Sequence, residues 1–210
     1  MSHFQGPIPE KIPLDDRRLF ESTVDIWSAQ LAHEAAIIAS YREKYVQLVH
    51  GAVSEIIRDM SHEKEEIEIS YAGSGKLESY SDLHANEERF MKLLTENHDR
   101  EIGAGATLWG IHKDDILINI NTFEARSFAS QGQQRSIALA MKLAEGTITK
   151  IETGEEPVYL LDDVLSELDG RRREFIISCL ENKQVILTTC DEVEADGANV
   201  IRCENGEFFG

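Results

Sequence analysis

Three of the 210 residues are cysteine, and no two of them form a Cys-x-x-Cys pair. Cys179, Cys190 and Cys203 are odd in number and widely spaced, which argues against a disulfide framework or a zinc finger. Their apolar neighbours predict buried free thiols, the habit of a reducing cytoplasm. The seven histidines show no ligand spacing, so no structural metal is expected. No apolar run approaches the about 20 residues that span a bilayer, and no apolar h-region follows Met1. Neither a membrane helix nor a secretory signal is expected. Basic residues are scarce, with 21 Lys and Arg against 39 Asp and Glu and a net charge of −18. Such a surface repels nucleic acid and anionic membrane, so any nucleic-acid contact has to use a local basic patch or a partner chain. Internal repeats and low-complexity stretches are absent.

What remains is a globular composition, 41% hydrophobic and 29% charged, long enough for one large domain or two small ones. Residues 1–7 contain Phe4-Gln5-Gly6-Pro7, which resembles the scar of a cleaved tag, and they are set aside from fold reasoning. From Asp15 to Ser61 the pattern is helical. Pro13 precedes it, and Asp15 or Asp16 is placed to cap it. Phe20, Val24, Trp27, Leu31, Ala35, Ile38, Tyr41, Tyr45, Leu48, Ala52 and Ile56 recur in steps of three or four, predicting a buried stripe along one face. No Gly or Pro interrupts Leu14 to Val49, which favours one long helix over two, with Gly51 as the one candidate break. It needs a partner along its stripe and suits one arm of a coiled coil or helical lobe.

Ile67, Ile69 and Tyr71 alternate with polar residues and predict a half-buried strand. Gly73-Ser74-Gly75-Lys76 invites a phosphate-loop reading, but Ser70 stands where the first Gly belongs and Leu77 replaces the Mg²⁺-binding Ser or Thr. A hydrophilic loop is expected instead. Residues 82–100 predict a second helix with Leu83, Phe90, Leu93 and Leu94 on its apolar face. Gly-rich residues 103–110 follow, then a strand from Ile116 to Ile120.

Ser130-Gln131-Gly132-Gln133-Gln134-Arg135 runs into a strong helix at Ile137 to Leu143. A Ser and a Gly before a helix N-terminus leave backbone N–H groups aimed outward, and the dipole adds partial positive charge, which is a ready anion site. A plain Ser N-cap with Gly in the turn accounts for the same residues. Further on, the apolar run Val158 to Leu161 predicts a strand buried on both faces, ending in Asp162 and Asp163. Strands that deliver acids at their C-terminal edge are how open α/β sheets present ligand-binding groups. Asp169-Gly170 precedes a helix to Leu180. It opens with Arg171, Arg172 and Arg173, read as a solvated face ahead of a phosphate or nucleic-acid contact. Val185 to Thr189 predicts a second buried strand, and Asp196-Gly197 and Asn205-Gly206 mark turns about a strand at Val200 to Cys203. A hairpin is expected among the last strands.

Ser130 to Gln133 resembles the signature of ABC-type ATPases, Leu160-Leu161-Asp162-Asp163 a Walker B strand, and Ser166-Glu167-Leu168-Asp169 the D-loop after it. More closely, Ser130 to Glu145, Leu160 to Asp169 and Gly110-Ile111-His112-Lys113-Asp114-Asp115 resemble the RecF family of SMC-like ATPases. The similarity covers residues 8–210 in layout and is specific from Thr107 to Asp191. The family usually has Pro at the position of Ile111. The resemblance implies an α/β fold, the C-terminal lobe of an ABC-type ATPase with a mixed or parallel sheet and flanking helices, plus a helical arm with a long helix. The division it implies is a tag remnant at 1–7, a helical arm at 8–105 and a signature and Walker B lobe at 106–210.

By the same resemblance, Asp162 would hold Mg²⁺ through water and Asp163 would position the attacking water, where many relatives use Glu. Ser130 and Gly132 would reach the γ-phosphate of ATP on a second subunit, Gln133 and Asp169 would also belong to the ATP site, and Asp169 would sit at the dimer seam. Splitting the site between subunits ties chemistry to assembly, because phosphoryl transfer depends chiefly on positioning and charge stabilisation. The implied function is ATP-dependent DNA binding in single-strand gap repair and replication restart. The partners would be single-stranded and gap-junction DNA, RecR, RecO and, indirectly, RecA. Two departures stand out. No His follows Thr188-Thr189-Cys190-Asp191, and no Gly-x4-Gly-Lys-Ser/Thr loop occurs anywhere. The expectation is a chain lacking the lobe that carries that loop, inactive by itself as an ATPase or DNA clamp. Two other readings stay open: another SMC-like repair ATPase, against which the short arm argues, and a non-catalytic helical interaction module with a structural Asp pair. A transporter ATPase fits poorly without the His and a second signature Gly.

Overall fold

The computed structural model describes residues 14–190 and 198–209, the side chains of 14–21 and Glu167 excepted. The elements run α1 (Leu14–Ser61), β1 (Ile67–Ala72), α2 (Leu83–Ala104), β2 (Asp115–Ile120), β3 (Phe123–Glu124), α3 (Ala125–Phe128) and α4 (Gln131–Thr153). Then follow β4 (Tyr159–Asp162), α5 (Gly170–Leu180), β5 (Val185–Thr188), β6 (Arg202–Glu204) and β7 (Glu207–Phe209). The chain divides into two compact units, residues 1–148 and 149–210, so α4 crosses the boundary.

The first unit is built on α1, a single helix of 48 residues, about 72 Å long at 1.5 Å per residue. Gly51 does not break it. The face it buries is not the one its large apolar residues mark. Ala32, Ala35, Ala36 and Ala39 are buried in a cluster with Tyr80 and with Phe90, Leu93 and Leu94 of α2. Further along, Val46, Val49, Val53 and Ile57 join Ile67, Ile69 and Ile120 of the sheet and Ile137, Ala140, Ala144 and Ile148 of α4. Trp27 stays 65% exposed and Tyr41 70%, and Leu31, Ile38, Tyr45 and Leu48 are exposed as well. Among the described side chains of the expected stripe, only Ala35 is fully buried. Alanines let two helices approach closely, and that contact sets the helix rotation. The bulky stripe is turned away as a result. Asp15 and Asp16 lie in the first turn of α1, and their side chains and that of Phe20 lie outside the described residues.

Asp82 caps α2, accepting the N–H groups of His84 (3.0 Å) and Ala85 (3.1 Å). Leu83, expected in the apolar face of that helix, is exposed at its first position, and buried Asn86 takes a place in the face instead. Strands β1 and β2 are antiparallel from Ile67↔Ile120 to Ala72↔Asp115, and β3 folds back on β2 through Asn121 and Thr122, both left-handed (φ 48 and 73°). Helix α1 covers the free edge of β1. His50 Nδ1 accepts the Ile69 N–H at 3.2 Å, and the Ser54 hydroxyl donates to the Ile67 carbonyl at 3.3 Å. An edge so occupied cannot template further strand pairing.

The Gly73–Lys76 loop is held by a buried carboxylate. The Asp114 side chain is 2% exposed; its Oδ1 accepts the Ser74 N–H at 2.7 Å, and its Oδ2 accepts Arg42 Nη1 at 3.0 Å and the Tyr71 hydroxyl. Arg42 also donates to the Ile111 carbonyl at 2.6 Å. Burial, together with the Asp114 carboxylate, holds the Tyr71 hydroxyl well above the usual phenol range. Tyr80 lies under the loop, edge-on to Tyr71 with ring centroids 5.1 Å apart. A Cβ at Gly73 would stand 2.3 Å from the Tyr80 hydroxyl, so that position tolerates no side chain.

The second unit has a parallel pair, β4 and β5, in register from Tyr159↔Val185 to Asp162↔Thr188, and a β6–β7 hairpin across Asn205-Gly206. The expectation of two-sided burial fails here. Tyr159 and Leu161 are buried, but Leu160 is 72% exposed and Val158 and Ile186 also face out. A two-stranded sheet has two faces, and the described part of this unit buries one of them. The buried residues Leu165, Leu168 and Ile176 belong to the turn and helix between the strands. The thiols differ as well: Cys179 is half-buried, while Cys190 and Cys203 are exposed, the first just past β5 and the second on the thin hairpin. The terminal strand occupies 202–204 rather than beginning at Val200, and Asp196-Gly197 lies outside the described residues. Among the described residues no helix is long and apolar enough to cross a membrane.

Two measurements test the carboxylate hub. Asp114→Ala leaves the Tyr71 hydroxyl and Ser74 N–H without their acceptor, takes one of two acceptors from Arg42, and should cost about 2–4 kcal/mol in urea unfolding, with the m-value unchanged. The hub also has a pH signature. The Tyr71 pKa is raised in the folded chain, so its contribution is whole below the unfolded phenol value of about 10 and is lost as pH rises beyond it. Tyr71→Phe should flatten the alkaline fall of stability between about pH 10 and 12.

Candidate functional site

At the head of α4, α3 ends at Phe128, Ala129 is extended (φ −69°, ψ 140°), and Ser130 caps the new helix. The cap is reciprocal. The Gln133 N–H donates to Ser130 Oγ at 3.3 Å, and the Ser130 N–H donates to Gln133 Oε1 at 2.9 Å. This is a capping box, for which Ser and Gln three residues apart are the required types. The Ser130 hydroxyl accepts from Gln133 and keeps its own proton to donate. Gly132 lies inside the first helical turn, not in the preceding loop, and its carbonyl accepts from Ser136 at 2.9 Å. The N–H groups of Gln131 and Gly132 have no acceptor within the helix, which is the geometry of every first turn. With the dipole they form a positive, donor-rich end beside an exposed hydroxyl. Gln133 makes one further bond, Nε2 to Glu65 Oε1 at 2.9 Å. Ser130, Gly132 and Gln133 thus share one turn of the first unit.

The acids belong to the second unit. Asp162 ends β4, opposite Thr188 at the end of β5. The Thr188 hydroxyl donates to Asp162 Oδ1, while its Oγ1 (3.1 Å) and its carbonyl (3.0 Å) both accept the Asp163 N–H. Asp163 is left-handed at φ 50°, and its carbonyl accepts from the Ser166 hydroxyl at 2.9 Å. Both carboxylates are exposed. One strand end and one threonine therefore fix two adjacent acids on a sharp turn. A non-glycine residue at positive φ costs energy, and such strain collects where a side chain has to be presented in one direction.

Asp169 caps α5, accepting the Arg172 N–H at 3.0 Å, and its other oxygen lies 3.8 Å from Arg172 Nε. A helix-capping role thus accounts for this residue without a ligand. The arginine triplet is not a uniform basic face: Arg171 is exposed, and Arg172 and Arg173 are half-buried. Among the described residues no cluster of three or more His, Cys, Asp or Glu is placed to hold a metal. A lone terminal Asp nonetheless fits Mg²⁺, which retains waters and is commonly held by one or two carboxylates plus phosphate oxygens.

The Gly73–Lys76 loop is no phosphate cradle. Its Ser74 N–H is spent on Asp114, its Lys76 N–H on the Gly73 carbonyl (3.0 Å), and its Gly75 carbonyl accepts Arg89 Nε at 2.7 Å. No helix starts behind it before Leu83. Sequence reasoning did not find Thr188 or Glu65. Thr188 carries a signal only after β4 and β5 are paired in register, and Glu65 carries none, because it sits 68 residues from its partner.

No protein-family model matches the chain. Curated relatives do. The chain is 38% identical over 190 residues to the DNA replication and repair protein RecF of Clostridium tetani, covering 88% of this chain and 51% of the relative. It is 33% identical over 192 residues to the RecF of Staphylococcus aureus, covering 89% and 52%. Among solved structures, the recombination mediator protein RecF with ATP in the RecFOR pathway superposes with a TM-score of 0.78 at 31% identity, covering 90% of this chain and 50% of that one. A second RecF structure, with ATPrS, gives 0.77 at 32%. The chain spans about half the length of the relatives it matches.

The left-handed turn gives a test that separates a strained presenting residue from a structural one. Asp163→Gly should leave urea stability unchanged or raise it by up to about 1 kcal/mol, since glycine relieves the φ penalty. A loss of more than about 1 kcal/mol would make Asp163 a structural residue.

Proposed function

The chain belongs with the RecF proteins in sequence and fold, and on that premise we propose that it supplies the signature turn and the Walker B acids of an ATP-dependent, DNA-binding recombination mediator. The observation that carries the reading is the capping box at the head of α4. It leaves an exposed serine hydroxyl beside open backbone donors, a suitable receptor for a terminal phosphate. Bound ATP supplies the phosphoryl group, and Mg²⁺ neutralises its charge.

The residues of this chain divide the remaining work. Ser130 and Gly132 would donate to the γ-phosphate of ATP held by a second subunit, and Gln133 keeps Ser130 in place. Asp162 would hold Mg²⁺, its carboxylate oriented by Thr188. Asp163 would position the attacking water. Asp169 sits at the seam between two heads and fixes the start of α5 there. The 210 residues contain no Gly-x4-Gly-Lys loop, so tight nucleotide binding requires a cradle from another segment or subunit. Sharing ATP across a head dimer then makes DNA clamping conditional on assembly. The assembled mediator acts in the cytoplasm at single-strand gaps and gap junctions with RecR and RecO, and so promotes RecA loading. The net charge of −18 confines DNA contact to a local basic surface of that assembly.

Calorimetry with ATP and Mg²⁺ tests the division of labour. The chain alone should give no binding heat, and a RecF-type polypeptide carrying a phosphate loop should restore it. Ser130→Arg should leave that binding intact and abolish nucleotide-dependent dimerisation. Asp163→Asn should lower hydrolysis by about 100-fold or more in the assembled protein. Tight ATP binding by the chain alone would overturn the placement of the cradle outside it. Unchanged turnover in Asp163→Asn would favour a non-catalytic module.

A further inference from the structure

We propose that Glu65 is a positioning residue for the signature turn, tying the C-terminal end of α1 to Ser130 through the side chain of Gln133. The proposal rests on the reading of Ser130 and Gly132 as phosphate ligands and adds a regulatory input to that site.

The Gln133 carboxamide is used at both ends. Its oxygen accepts the Ser130 N–H at 2.9 Å, and its nitrogen donates to Glu65 Oε1 at 2.9 Å. The Ser130 N–H can only donate and the Glu65 carboxylate only accepts, so turning the amide over would break both bonds at once. Glu65 therefore selects the amide orientation that closes the capping box. It does so from a half-buried position, where water competes less for the bond than at an open surface.

The backbone beneath Glu65 is fixed to α1. The Glu65 N–H donates to Ser61 Oγ at 3.1 Å, and the Glu63 N–H donates to the Arg58 carbonyl at 2.8 Å. His62 and Glu63 are both left-handed, at φ 53 and 61°, so α1 stops abruptly and reverses into β1. On the other side the Glu66 N–H donates to Asn121 Oδ1 at 2.8 Å, and the Asn121 N–H donates to the Glu66 carbonyl at 2.9 Å. The turn is thus gripped by the end of the long helix and by the β2–β3 hairpin that leads into the signature. A rotation or shift of α1 moves Glu65, and through Gln133 it changes how Ser130 is held. Load on a helix about 72 Å long is in this way converted into competence of a phosphate-binding turn.

The test begins with the 210-residue chain itself, by amide hydrogen exchange at Ser130 and the side-chain NH₂ resonances of Gln133. Glu65→Ala should speed Ser130 exchange about tenfold, the loss of one charge-assisted hydrogen bond. Glu65→Gln keeps an acceptor and should stay within about threefold of the parent. Gln133→Leu removes the Ser130 N–H acceptor itself and should speed exchange at least as much as Glu65→Ala, and adding Glu65→Ala to it should change nothing further. A merely structural Glu65 would add its effect to that of Gln133→Leu instead. The second readout is nucleotide-dependent dimerisation of the assembled protein, which Glu65→Ala should weaken several-fold and Glu65→Gln restore, with ATP binding itself unchanged. Unaltered Ser130 exchange in Glu65→Ala, or additivity with Gln133→Leu, overturns the link. The expected exchange pattern together with a Ser130→Arg protein that still dimerises on nucleotide overturns the phosphate-ligand reading, and the positioning role falls with it by that separate route.

Discussion

Most of a helix's stability in a folded protein comes from the tertiary packing of one face, so the first unit exists through what the 48 residues of α1 bury. It buries two different surfaces in succession. The alanine segment, Ala32 to Ala39, admits α2 at close range, and the valine segment, Val46 to Ile57, closes over the sheet and α4. The same helix supplies Arg42 to the Asp114 hub, blunts the β1 edge with His50 and Ser54, and ends in the turn that carries Glu65. Every other part of that unit is placed by reference to one rod.

The candidate site uses interactions that folding already requires. Ser130 and Gln133 satisfy orphan donors of α4, Asp169 satisfies one of α5, and Thr188 closes the end of a parallel strand pair. Each would be a sensible residue in a protein with no nucleotide to bind. What distinguishes them is what they leave over. The hydroxyl proton and first-turn donors of α4 stay open, and the two carboxylates after β4 stay exposed. Asp163 has a left-handed backbone, as do His62, Glu63, Asn121 and Thr122 in turns of the first unit, so its conformation alone does not mark it as functional.

Local patterns were legible and non-local ones were not. The extent of α1, the presence of α2, the β1 and β2 strands and the failure of Gly73–Lys76 as a phosphate loop all follow from spacing and residue type over a few positions. The phase of α1 did not. The large residues from Trp27 to Leu48 make the stronger apolar stripe, but close approach of α2 rewards alanine, so the buried face is chosen by the neighbour. A uniformly apolar run such as that at Tyr159 reads as a strand buried on both sides. Burial depends on how many layers cover it, and a run of four residues does not record that. Thr188, Glu65 and Asp114 find their partners 26, 68 and 72 positions away, distances over which a single sequence carries no pairing signal.

The exposed aromatic and aliphatic stripe on α1 also sets apolar attraction against the like charge of the whole chain. Trp27, Tyr41, Tyr45 and Leu48 present an adhesive strip on a molecule whose formal charge is −18. Like-charge repulsion keeps such molecules dispersed while its range exceeds the reach of the strip, and dissolved salt shortens that range to about 10 Å near 0.1 M. Raising the ionic strength therefore weakens the repulsion that opposes contact between two such strips. The surplus of acid over base acts as a dispersant for a surface that the fold leaves greasy.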